Sequence, residues 1–198
     1  MALAANPGGA VVNGEKILNA AGRQGRWGAL LVFLTLGLAG CAGIPVETYR
    51  AEKPVLDLKT YFNGTIDAWG MFQDRSGEVV KRFTVVIDAS WQGDVGTLDE
   101  RFSWSDGTAS RRVWTITKGG DGRYVGRADD VVGEALGEAA GNALRWRYVL
   151  ALPVDGRTIN VDFDDWMFLI DDKVMLNRSQ MRKWGFHLGE VTLSFTRR

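Results

Sequence analysis

From Ile66 onward apolar and polar side chains alternate with a period of two, the signature of extended chain with one face buried. Ile66, Ala68, Gly70 and Phe72 alternate with Asp67, Trp69 and Met71. After the polar turn Arg75-Ser76-Gly77-Glu78, Phe83, Val85, Ile87, Ala89 and Trp91 alternate with Arg82, Thr84, Val86, Asp88 and Ser90. The two runs predict a long antiparallel hairpin. Further strands are expected at Leu98 to Trp104, Arg112 to Thr117 and Arg123 to Ala128, separated by Asp106-Gly107 and Gly119-Gly120-Asp121-Gly122. They resume at Ala143 to Leu152, turn at Asp155-Gly156, and run from Arg157 into Trp166, Phe168 and Ile170. Asp171-Asp172-Lys173 supplies another polar turn, a further strand follows it, and Val191, Leu193 and Phe195 mark a closing strand.

The stretch Asp129 to Asn142 departs from the alternation. Its Val131, Val132, Ala135, Leu136, Ala139 and Ala140 could line one face of a helix, but Gly133, Gly137 and Gly141 weaken that helix by up to about 1 kcal/mol each. A Gly/Ala-rich loop with at most a helical turn or two is therefore expected over 129–142. The total is about nine or ten strands, linked by turns too short for crossover helices. This predicts an all-β meander that either closes into a single antiparallel up-and-down barrel or forms a strongly curled sheet, and the closed barrel, lipocalin-like in architecture, is the expectation taken forward. One irregularity stands out at Asp164-Asp165. Ile159, Val161 and Phe163 set one apolar parity and Trp166, Phe168 and Ile170 the other, so a β-bulge is expected at the aspartate pair.

The start of the chain follows different rules. Arg23 and Arg26 precede the apolar run Trp27 to Leu38, in the order of a secretory signal, and that run is too short for an ordinary membrane span of roughly 20 residues. Leu38-Ala39-Gly40-Cys41 follows directly and resembles the bacterial lipobox, whose cysteine becomes acylated as the preceding peptide is removed. Cys41 is the chain's single cysteine, so no disulfide framework competes for it. The expected organisation is a signal peptide over 1–40, a lipidated tether over 41–54 containing Pro45 and Pro54, and a barrel over 55–198. Residues 1–22 lie ahead of the usual start of such a signal, and translation is expected to begin nearer the arginines. Ala42, where an Asp would resemble an inner-membrane retention signal, points by resemblance to the periplasmic face of the outer membrane.

Charge narrows the partners. The 24 basic and 24 acidic side chains cancel, which argues against nucleic acid, because such partners need a basic footprint. Arg, Lys and Asp on nearly every strand argue against a membrane-spanning barrel, which needs a continuous apolar outer band. The expected partners are a membrane, through acylated Cys41, and a lipid or other amphiphile; the protein is expected to be a monomer.

Tyr61-Phe62-Asn63-Gly64, Trp69-Gly70, Asp165-Trp166-Met167, Asn177-Arg178-Ser179, Met181, Lys183, Gly185 and Glu190-Val191-Thr192-Leu193, with the lipobox, resemble a family of Gram-negative lipoproteins known as domain of unknown function 3833. The resemblance covers nearly all of the chain after the leader and is most specific in the last third. It implies a periplasm-facing lipoprotein with a barrel similar to the lipocalins, whose relatives tend to be encoded near membrane-lipid modifying enzymes.

No catalytic constellation is evident, and no metal or cofactor is expected. His187 is the one histidine, in a closing strand, and no second His or free Cys accompanies it. Adjacent carboxylates on a strand point to opposite faces, so Asp129-Asp130, Asp164-Asp165 and Asp171-Asp172 are not catalytic pairs in themselves. The candidate ligand-binding residues are Trp146 and Tyr148 on one strand face, the adaptable Met167, Met175 and Met181, and the polar Asp165, Asn177 and Arg178. Of Asn177 and Arg178, which are neighbours in sequence, at most one faces inward unless the strand bulges. Two functions fit: a lipid-anchored envelope protein that binds an apolar or amphipathic ligand such as a fatty acyl chain or phospholipid, supporting membrane-lipid modification or transport; or a structural lipoprotein whose barrel is filled. Interior volume separates them.

Overall fold

The computed structural model describes residues 43–154 and 156–198; Cys41 and the expected signal peptide lie outside them. Ten strands follow in order: β1 (Gly64–Asp74), β2 (Val79–Gln92), β3 (Val95–Trp104), β4 (Ala109–Lys118), β5 (Arg123–Arg127), β6 (Ala135–Ala140), β7 (Ala143–Val154), β8 (Arg157–Leu169), β9 (Val174–Lys183) and β10 (Phe186–Arg197). Each strand pairs antiparallel with its sequence neighbours, and β1 also pairs with β10, Ala68 opposite Phe195, so the sheet closes. Closure removes the unpaired edges that an open meander would present.

The alternation read from the sequence becomes the two faces of the wall. Ile66, Val85, Ile87, Leu98, Ile116, Leu144 and Phe195 point inward and are buried. Outward positions carry ion pairs between neighbouring strands, such as Asp88 with Arg101 at 2.6 Å and Asp99 with Arg111 at 2.7 Å.

Residues 129–142 depart from the expected loop or helical turn. Ala135–Ala140 is a strand, β6, paired to β5 and β7. Its glycine answers a packing need: a Cβ on Gly137 would meet the Trp146 ring at 2.4 Å, and one on Gly126 of β5 would meet the same ring at 2.4 Å. The residues before β6 run beside β7, with a bridge from Val131 to Leu150 and a hydrogen bond from the Ala151 amide to the Asp130 carbonyl at 2.8 Å.

The bulge expected at Asp164-Asp165 is absent. The β7–β8 register is continuous from Ala143 opposite Phe168 to Val154 opposite Arg157, so Phe163, Asp165, Met167 and Leu169 all face inward. Trp166 and Phe168 therefore face outward, where part of the segment expected as a lipidated tether covers them. Val46–Tyr49 forms a 3-10 turn, and the Tyr49 ring meets Trp166 and Phe168 edge-on with centroids 5.8 and 5.1 Å away. Val46 completes this outer cluster with Ala140 and Ala143.

The chain then crosses one end of the barrel. A four-residue helix, α1 (Leu58–Tyr61), is capped by Asp57, whose Oδ1 accepts from the Thr60 amide at 2.8 Å. Leu58, Tyr61 and Phe62 bury into the inner core, while the surrounding polar atoms fasten the segment to strand ends. Tyr61 Oη donates to the Lys173 carbonyl at 2.9 Å, Trp91 Nε1 to the Phe62 carbonyl at 2.7 Å, and Lys118 Nζ contacts Asp57 Oδ2. This end is closed.

Candidate functional site: an interior cavity with a polar belt

Above the plug formed by Leu58 and Phe62 the barrel holds a cavity of about 770 Å3. A space of that size lies within the range of small-molecule sites, roughly 300–1,000 Å3. Its wall is mostly apolar, and its other end is bordered by Lys81, Trp104, Ser110, Arg111, Leu152 and Pro153. Aromatic rings cluster there: Phe102 and Trp104 stack at 5.6 Å, and Phe83 leans on Trp104 at 4.8 Å.

A belt of polar side chains crosses this wall. On one side Glu100 of β3 lies opposite Arg112 of β4. Arg112 donates from Nε to Asp130 at 3.0 Å and from Nη2 at 2.7 Å, a two-pronged pair, while its Nη1 is 4.0 Å from Glu100. On the other side Asp165 of β8 lies opposite Ser179 of β9, which donates its hydroxyl proton to Asp165 Oδ1. Tyr148 Oη donates to Asp165 Oδ2 at 3.4 Å. Asn177, two residues before Ser179 on the same face, is 3% exposed, and its Nδ2 has no partner.

Burial dominates the electrostatics. It pushes the Glu100 carboxyl up to about 7, with the Arg112 charge opposing, and it pushes Asp165 up to about 7 against the hydrogen bonds from Ser179 and Tyr148. Near neutral pH both acids are poised between carboxyl and carboxylate. Tyr148 is raised well above its ordinary value, first by burial and then by the Asp165 charge, so it stays a hydrogen-bond donor. For Arg112 burial works against the charge, but the bond to Asp130 and the Glu100 charge outweigh it and raise its pKa.

Six of the eight residues singled out from the sequence line the cavity: Trp146, Tyr148, Asp165, Met167, Asn177 and Met181. Two do not. Met175 is fully buried in the packed core near the closed end, beside Tyr61. Arg178 faces outward because strand parity turns it away from Asn177, and it pairs there with Glu190 on β10 at 2.6 Å. Glu100, Arg112, Asp130 and Ser179 were not singled out. The first two share parity with Leu98, Phe102, Trp114 and Ile116, so each is a charge on an otherwise apolar face, a signal present in the sequence. Asp130 has no such signal, because it arrives from outside the strands.

The belt supplies charge and hydrogen bonds inside an apolar wall. Among the described residues no group of three or more His, Cys, Asp and Glu side chains could hold a metal ion. His187 is exposed on β10, away from the belt.

Residues 35–197 match the family described as a protein of unknown function (DUF3833). No curated protein matches. Among solved structures, a protein of unknown function from the DUF3598 family of Nostoc punctiforme is similar with a TM-score of 0.52 and 14% identity, over 79% of this chain. The chain spans 53% of that protein's length, and the likeness is one of fold. A de novo designed fluorescence-activating β-barrel gives a TM-score of 0.40 at 12% identity, over 72% of this chain and 99% of the design.

Proposed function

The chain belongs to the DUF3833 family of proteins of unknown function, and we propose from its cavity that it is a carrier or binding protein for an apolar or amphipathic molecule, with an acyl chain as the apolar part. The observation that carries this reading is the 770 Å3 space bounded by aromatic and aliphatic side chains and crossed by a few convergent polar groups. A barrel serving as a filled scaffold would have its interior occupied by its own side chains to crystal-like density. Here that holds only toward the closed end.

The same reading places the protein in the bacterial envelope, on the periplasmic face of the outer membrane, held by acyl groups on Cys41 and working beside membrane-lipid modification or transport. What supports the address is the Leu38-Ala39-Gly40-Cys41 motif and the apolar run before it. The charged pairs on the outward strand positions support a barrel held by an anchor over one that spans the bilayer. Changing Cys41 to Ser is expected to abolish labelling by radioactive fatty acid and leave an unprocessed precursor. Normal labelling of C41S would refute the anchor.

Ligand binding is tested by titrating the purified protein with a fatty acid bearing an environment-sensitive fluorophore. Saturable, one-to-one enhancement is expected. A linear response at every concentration would sink the binding reading.

A further inference from the structure

The polar belt is unbalanced in charge, and the imbalance bears on what the ligand's head carries. This inference rests on the binding reading above and refines it. Lys81 and Arg111 lie at the cavity border and are engaged there, with Asp106 at 2.7 Å and Asp99 at 2.7 Å. Deeper in, Arg112 is the one cation of the wall, and Asp130 takes it in a two-pronged pair. Glu100 keeps the distant edge of that guanidinium, at 4.0 Å, and the Trp114 indole, which carries no charge. Among the described residues Asp165 has no cation within ion-pair distance; its hydrogen bonds come from two neutral hydroxyls, Ser179 and Tyr148. Two carboxyls thus face the cavity without a full counter-charge. Asn177, 3% exposed, lines the same cavity and carries a side-chain amide whose Nδ2 is buried and has no acceptor among the described residues.

We propose that the belt is a recognition site for an ammonium group on an amphiphile, with a neighbouring hydroxyl or carbonyl oxygen of the same head accepting from Asn177. Four kinds of occupant can be compared. A plain hydrocarbon leaves Asn177 unsatisfied and two carboxyls facing apolar matter. An anionic head brings a further negative charge toward Glu100 and Asp165. An alcohol satisfies Asn177 and leaves the carboxyls unpaired. An amine with an adjacent oxygen answers the carboxyls and the amide together.

Charge and protons move together here. The groups facing Glu100 are Arg112, Asp130, Trp114, Tyr148 and Asp165; those facing Asp165 are Ser179, Tyr148, Arg112 and, through the strand, Asp164. Burial holds both carboxyls near pH 7, so a bound ammonium lowers their pKa values and releases protons. Affinity for the amine therefore falls as pH drops below about 7 and both carboxyls fill with protons.

The test uses the purified protein and three probes of one chain length, 2-amino-1-dodecanol, 1-dodecanol and dodecanoate, each displacing the fluorescent fatty acid at pH 7.5. The amino alcohol is expected to bind at least tenfold more tightly than the alcohol, with dodecanoate weakest, and its advantage is expected to shrink at pH 5.5. In an E100Q/D165N variant that melts cooperatively, the amino alcohol and the alcohol should come within about threefold of each other. An amino alcohol no tighter than dodecanol in the unaltered protein overturns the ammonium site, and saturable displacement by any probe would then leave the binding reading standing. Failure of all three probes, with no saturable signal from the fluorescent acid, overturns both.

Discussion

The two ends of the barrel interior use one strand periodicity for different purposes. At the closed end Leu56, Leu58, Tyr61, Phe62, Ile66, Ile87, Leu144 and Met175 are each 4% exposed or less, and the polar atoms among them are partnered, as with Tyr61 Oη on the Lys173 carbonyl. Toward the other end the same inward positions carry Glu100, Arg112, Tyr148, Asp165 and Asn177 around an open volume. Burying such groups opposes folding unless they find partners. The closed half supplies the stability that lets the open half keep charged and unpartnered groups inside. A barrel built only for stability would fill both halves alike.

That contrast can be broken from either side. The largest effect is expected at the plug: Phe62→Ala removes a ring 4% exposed, packed edge-on against Tyr61 and Phe195 at 5.2 and 5.8 Å. It should cost about 3–5 kcal/mol by chemical denaturation. In the open half, removing charge should stabilise. The Asp165 pKa is raised in the folded state, so its contribution to stability is fully present below the unfolded value of 3.8 and is lost as pH rises through about 7. Asp165→Asn cancels that loss, so it should be more stable than the unaltered protein by about 2–4 kcal/mol at pH 8.5, the gap closing toward pH 4. A gap independent of pH would show that the carboxyl is not held up by burial.

Smaller effects mark the outer wall. Tyr49→Ala removes two edge-on contacts, to Trp166 and Phe168, and should cost about 1–3 kcal/mol while leaving the cavity intact, measured by melting beside a ligand titration. The smallest belongs to Arg178, whose side chain is 62% exposed. Arg178→Ala should change stability by less than about 1 kcal/mol and leave ligand affinity unchanged. A loss of affinity there would contradict its outward placement.

These positions also show how much of the fold was legible in the sequence. Alternation alone located most strands, because inward and outward environments differ sharply and each turn is punctuated by Gly or Asp. It failed at β6, where Gly137 looked like a weak helix position. The requirement behind that glycine is a tryptophan nine residues later in the chain, and local propensity does not see it. It failed again at Trp166 and Phe168, because a period-two reading assumes one buried face per strand. Here Tyr49 and Val46 bury part of the other, and no bulge is needed. The belt was half legible: Asp165 and Asn177 stood out, and Glu100 and Arg112 could have been found as charges of apolar parity. Asp130 depends on how the residues before β6 lie against β7, which is a tertiary fact.

The most direct test of a ligand-bearing cavity is what the protein carries when it is purified from cells. Native mass spectrometry of protein purified under mild conditions from cells that make it, followed by organic extraction, should show a one-to-one adduct that extraction releases as an amphiphile. Bare protein in the spectrum, no extractable amphiphile and no saturable uptake when acyl compounds are added back would contradict the account and return the barrel to a scaffold.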